Sequence, residues 1–171
     1  MRKTRQLAFD AMLAAMVAVL GYVSLDFISV KITFESVPIL VGALLFGPVD
    51  GAAVGLVGTL ACQLLRYGVS ATTALWILPY VLCGLLVGLC AKTRGFDLTQ
   101  AQTVGVIVAA ELMVTALNTG VIYIDSKLYG YYSPTLITGM LALRLVICVG
   151  KALAYAFALP PLLRAARRQE G

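Results

Sequence analysis

The last apolar run of the chain constrains its fold most. Residues 136–163 contain the stretch GMLALRLVICVGKALAYAFALPPLL, from Gly139 to Leu163. That is longer than the roughly 20 residues a helix needs to cross a bilayer. Arg144 and Lys151 nevertheless lie well inside it. A cation at the centre of a membrane helix costs at least about 2.5–3.5 kcal/mol. Seven residues is close to two helical turns, so both cations sit on one face, roughly 10 Å apart along the axis. Such a helix must turn that face toward a bundle interior or a polar cavity.

The rest of the chain extends the same reading. Of 171 residues, 61% are hydrophobic and 12% are charged, against about 25% charged in soluble domains. This predicts an integral membrane protein. Six spans are expected, at 7–24, 37–46, 51–66, 73–91, 103–124 and 136–163. The expected fold is an all-α six-transmembrane-helix bundle forming a single domain over 1–171. The N-terminal run follows a basic start and is long enough to span, so it reads as the first span rather than a cleaved signal. The second segment, from Val37 to Phe46, is too short to cross alone, so it extends into its flanks or lies among longer helices. The preceding loop is β-prone and can form a small hairpin.

Cationic residues in the loops set the expected orientation. Arg2, Lys3, Arg5, Lys92, Arg94, Arg164, Arg167 and Arg168 fall on one side; Lys31, Arg66 and Lys127 fall on the other. The first side is expected to be cytoplasmic, with both termini inside. The loops 25–36, 67–72 and 125–135 are then external. This topology accounts for the net charge of +5 without nucleic acid as a partner.

Several segments carry polar chemistry inside this apolar frame. Glu111 and Asn118 share a face of the fifth span, and Arg144 and Lys151 share a face of the sixth. Glu111 and Lys151 reach similar depth in antiparallel helices, so a structural ion pair is expected, lowering the burial cost of both. Arg144 lies nearer the level of Asn118 and has no acidic partner within the spans, though Asp26, Glu35 or Asp125 can reach down from the loops. A guanidinium facing the interior suits a carboxylate or the acceptor atoms of a heterocycle. Arg66, Tyr67, Thr72, Thr73 and Trp76, with Tyr129, Tyr131 and Tyr132 of the last external loop, either cap a pocket for a flat ring or form an interfacial aromatic belt. Pro79 frees a backbone carbonyl near Leu75.

Small residues mark helix contacts. In the first span Ala11 and Ala15 are four apart, as are Ala14 and Ala18. Small-xxx-small faces let membrane helices approach closely. This stripe is either ordinary membrane-helix composition or a docking face for a partner protein. Gly51, Gly55 and Gly58 of the third span are expected to pack within the bundle.

Other chemistry is missing from the sequence. The chain has no His, and its cysteines Cys62, Cys83, Cys90 and Cys148 sit in apolar segments without CxxC spacing. No phosphate-binding loop, HExxH or GxSxG pattern is present. No cofactor, metal or enzymatic activity is expected. Uptake of a solute against a gradient would need energy from a partner or an ion gradient.

The segment KITFESVPILVGALLFGPVDGAAVGLVGTL, residues 31–60, resembles the second and third helices of the substrate-binding S components of energy-coupling factor (ECF) vitamin transporters, and most resembles the folate-type branch. The stretch ALNT at 116–119 and Arg144 are similar to that branch too. The resemblance implies a vitamin bound at the outer face by helices four to six and the first, third and fifth loops. Expected ligand contacts are Arg144, Asn118, Phe34, Arg66, Tyr67, Thr72, Thr73, Trp76, Tyr131 and Lys151. It further implies that Ala11, Ala15 and Ala18 dock on a membrane T component carrying two cytoplasmic ATPases. The stretch before helix four and the position of Lys151 depart from that branch. Folate is the first-choice ligand, since its carboxylates suit Arg144, Arg66 or Lys151. Another vitamin or heterocyclic precursor is the alternative, as is a stand-alone proton-coupled carrier using Glu111.

Overall fold

A computed structural model describes residues 2–27 and 30–168. Six helices and one hairpin follow in order: α1 (Arg2–Tyr22), β1 (Leu25–Phe27), β2 (Val30–Ile32), α2 (Ser36–Phe46), α3 (Pro48–Tyr67), α4 (Thr73–Thr93), α5 (Gln100–Leu128) and α6 (Pro134–Arg168). The expected hairpin is present: β1 and β2 pair antiparallel, with Leu25 opposite Ile32 and Phe27 opposite Val30.

Local sequence explains the breaks between helices. α2 ends at Gly47, whose φ of 106° favours glycine, and Pro48 opens α3 directly. α3 ends on Gly68 at φ 72°. α5 starts with a capping box, in which the Thr99 hydroxyl accepts from the Gln102 N–H and the Gln102 side chain accepts from the Thr99 N–H.

α1, α3, α4, α5 and α6 are each long and apolar enough to cross a membrane. α2 is not. Its 11 residues span about 16 Å, so of the six expected segments five can span and the second is the short helix among longer ones that its length allowed. Ile39, Leu40 and Ala43 of α2 are completely buried. With no exposed face to orient, the segment is apolar all round, and it forms the centre of the core with Val17, Val54, Cys83 and Tyr155 around it.

Side-chain pairs fix the helix directions. Gly51 of α3 lies against Gly84 of α4, and Gly55 against Tyr80, so these helices are antiparallel. Thr72 meets Asp125, Glu111 meets Lys151, and Thr119 meets Arg144, so α4, α5 and α6 alternate in turn. α1 runs parallel to α3, with Gly58 against Ala14 and Val17 and Cys62 against Gly21. The start of α1 and the end of α6 therefore lie at one end of the bundle; the hairpin and the α3–α4 and α5–α6 connections lie at the other.

The glycines of α3 do pack within the bundle, because there is no room for more. A Cβ on Gly84 would come within 2.3 Å of the Gly51 backbone, and one on Gly58 within 2.4 Å of Val17. Backbones this close make up in dispersion what membrane helices lack in hydrophobic drive. The alanine pairs of α1 divide: Ala14 is buried, Ala18 half-buried, and Ala11 and Ala15 face outward.

Candidate functional site

At the hairpin end, the helices part around a cavity of about 550 Å³. That is within the usual size of a small-molecule site. α5 supplies one wall from Val114 to Asp125, α6 another from Arg144 to Lys151, and α3 and α4 the side opposite. Aromatic and hydroxyl groups of Tyr67, Thr72, Trp76, Tyr129 and Tyr131 ring its upper part. A smaller hollow of about 440 Å³ between α4 and α5 is mostly apolar and lies at the other end of α5, away from this polar cluster.

The charged groups separate into distinct arrangements. Lys151 Nζ is 3.0 Å from Glu111 Oε2, and the Glu111 side chain is 1% exposed. The expected ion pair is therefore formed, and Lys151 also faces the cavity while Glu111 does not. Arg144 lines the cavity too, with a guanidinium nitrogen 3.5 Å from the Thr119 hydroxyl. Among the described residues no carboxylate lies within ion-pair distance of Arg144.

Two of the carboxylates expected within reach of Arg144 are held elsewhere. Glu35, at the entrance to α2, accepts from the Thr33 hydroxyl at 2.8 Å and from the Tyr80 hydroxyl. Asn118 Nδ2 in turn approaches the Tyr80 oxygen at 3.5 Å. Asp125 accepts from the Thr72 hydroxyl at 2.5 Å and from the Tyr131 hydroxyl. The second cluster ties the α3–α4 connection, the last turn of α5 and the α5–α6 loop together at the cavity mouth. Burial first, then the hydrogen bond to Asp125 and its charge, push the Tyr131 phenol up to about 12. It therefore remains a donor to Asp125 throughout the neutral range. Asp26, the third carboxylate considered, has a side chain outside the described set.

Several of the expected contacts come together here: Arg144, Asn118, Tyr67, Thr72, Trp76, Tyr131 and Lys151 all line the cavity. Phe34, Arg66 and Thr73 do not. Phe34 packs edge-on against Tyr155, with ring centroids 6.4 Å apart. Arg66 donates to the Tyr22 carbonyl at 2.8 Å and the Ser24 hydroxyl at 2.5 Å, tying α3 to the end of α1. The Thr73 hydroxyl accepts from the Ser70 N–H at 2.9 Å, fixing the turn into α4. The sequence reading missed Glu35 and Tyr80 as site residues. The available signal was a carboxylate placed directly before a wholly apolar helix, where a buried charge demands partners. Asp125 was expected in a loop but forms part of α5, because the helix runs four residues beyond the expected end.

The family model described as ECF transporter, substrate-specific component, matches residues 5–163. No curated protein sequence matches the chain. The fold resembles that of an S-component for biotin from an ECF-type ABC transporter, with a TM-score of 0.70 at 17% identity over 98% of this chain and 93% of that one. It also resembles FolT bound with folic acid, with a TM-score of 0.68 at 20% identity over 90% of each chain. A further S component of a bacterial ECF transporter gives a TM-score of 0.69 at 18% identity over 96% of this chain and 98% of that one. At these identities the likeness is one of fold, and the family rests on the match along the sequence. The chain is a multi-pass integral membrane protein and belongs to the family of ECF transporter substrate-specific components.

Proposed function

We propose that this chain is the vitamin-binding subunit of an ECF-type importer, that its ligand is folate, and that the ligand enters the cavity from the outer face. Both termini are then cytoplasmic, and delivery depends on a membrane T component and two cytoplasmic ATPases. The observation that carries the reading is the cavity itself, which is of ligand size and holds a guanidinium at Arg144 that no described carboxylate neutralises. A bound anion would complete it. The folate carboxylates suit that cation, and the surrounding Trp76, Tyr67 and Tyr131 suit a flat ring. The excess of Lys and Arg at the opposite end of the bundle supports an external opening. Catalysis plays no part in this reading: the subunit binds and hands over. A stand-alone carrier using Glu111 is less well supported, because that carboxylate is held by Lys151 and does not face the cavity.

The test uses the chain purified alone in detergent. Mass spectrometry should identify a co-purifying vitamin, and calorimetric titration with folic acid should show tight 1:1 binding. Liposomes containing only this chain should accumulate no folate under a proton gradient. Absence of folic acid binding would reject the ligand assignment; accumulation under the gradient would reject the dependence on partners.

A further inference from the structure

The hollow of about 440 Å³ between α4 and α5 lies apart from the vitamin cavity. Val87 and Ala110 line it and are buried, and Gly105 leaves it unfilled: a Cβ there would meet nothing within 4 Å. Leu86 on its rim is exposed, as are Leu89 and Leu112 on adjoining turns. In helices that cross a membrane, exposed leucines face lipid, so the hollow opens to the bilayer rather than to water. From Gln102 to Met113 its α5 wall runs about 16 Å along the helix. That is close to half of the roughly 30 Å hydrocarbon core, the depth of one leaflet.

The polar groups of the hollow gather at one end, where α4 finishes and α5 begins. Arg94 is the C-cap of α4 and is exposed there. Gln102, in the first turn of α5, accepts from the Thr99 N–H at 3.1 Å through its side-chain oxygen, so its NH2 remains as a donor. Among the described residues no carboxylate lines the hollow or lies within ion-pair distance of Arg94. Asp97, in the same connection, is exposed and outside the hollow. The groove is therefore apolar along its length and carries a cation and a neutral donor at the depth of the membrane interface.

We propose that this hollow binds an anionic phospholipid of the surrounding bilayer, with one acyl chain along the groove and the phosphate held by Arg94 and Gln102. The guanidinium fork matches phosphate oxygens, and basic pockets between membrane helices take anionic headgroups. An apolar partner helix would cover the leucines and leave the guanidinium unmet; a lipid of one leaflet satisfies both. The inference does not depend on which vitamin the chain carries.

The experiment is native mass spectrometry of the whole chain in detergent, titrated with phosphatidylglycerol and with phosphatidylcholine of the same acyl chains. The wild type should prefer phosphatidylglycerol by at least about fivefold, the effect of one arginine on an anionic lipid. In Arg94→Gln that preference should fall toward one, and in Lys92→Gln, a cation outside the hollow, it should persist. Each ratio is taken within one variant, so it does not depend on how much of that variant is folded. Gly105→Leu, which places a side chain in the groove, should weaken binding of both lipids, and inorganic phosphate should displace neither. Equal binding of the two lipids by the wild type, or the same loss of preference in Arg94→Gln and Lys92→Gln, overturns the headgroup site. Displacement by inorganic phosphate, or undiminished lipid binding by Gly105→Leu, overturns the acyl-chain groove. A spectrum of paired chains without lipid assigns the face to a second copy instead and overturns the proposal.

Discussion

Two cations on one face of α6 are treated differently by their surroundings. Lys151 has a carboxylate at 3.0 Å and gains a buried pair with Glu111. Among the described residues Arg144 has only a hydroxyl at 3.5 Å, and an open cavity before it. A buried charge is tolerated when paired or solvated, and in the proposed function a bound anion would supply the missing partner. Arg144→Ala is expected to weaken folic acid binding by about 2–5 kcal/mol, the range for truncating one partner of a buried charged pair. Titration of the purified variant measures this, and unchanged affinity would remove Arg144 from the site. Lysine should substitute poorly, because a point charge cannot reproduce the guanidinium's two-pronged geometry.

Among the elements, α2, α3 and α4 are held by backbone contact. Gly84 lies on Gly51, and Gly88 lies on Pro48, where a Cβ would come within 2.4 Å of the backbone. No flexible side chain is present at these points to move aside. Gly84→Val should therefore destabilise the bundle by at least the roughly 1–3 kcal/mol typical of overpacking. The reading is a lowered thermal unfolding temperature in detergent. Gly105 provides the comparison: a Cβ there meets nothing within 4 Å, and Gly105→Ala should hold or slightly raise that temperature through helix propensity. Equal behaviour of the two variants would show that the close approach does not stabilise these helices. The glycine spacing was legible in the sequence as a packing face; its partner helix was not, since any small-residue face can accept any other.

For the whole molecule, α1 presents two small-residue faces with opposite fates. Ala14 faces inward and lies with Val17 against Gly58, which uses that face within the bundle. Ala11 and Ala15 face outward, flanked by exposed Met12, Met16 and Val19. The proposed T component would seat there, where the small alanine side chains permit close helix approach. Ala15→Leu should leave folic acid binding intact in the isolated chain and abolish uptake in cells expressing the complete transporter. Normal uptake would discard this face as the docking surface. The variant changes no residue near the cavity, so lost binding would point to a folding defect instead.

The sequence by itself determined membrane residence, the apolar segments, the shared helix faces of Glu111 with Asn118 and of Arg144 with Lys151, and the small-residue faces. Each follows from hydropathy or from helical periodicity, which act over one or two turns. Only the tertiary structure decided which groups face the cavity. Glu35 and Tyr80 are 45 residues apart, and Thr72 and Asp125 are 53 apart. Phe34, Arg66 and Thr73 had the chemistry of ligand contacts, yet they hold Tyr155, the end of α1 and the turn into α4. A polar side chain joins whichever partner the packed helices bring within reach, and that distance is set by how elements far apart in sequence pack rather than by its own neighbours in the chain.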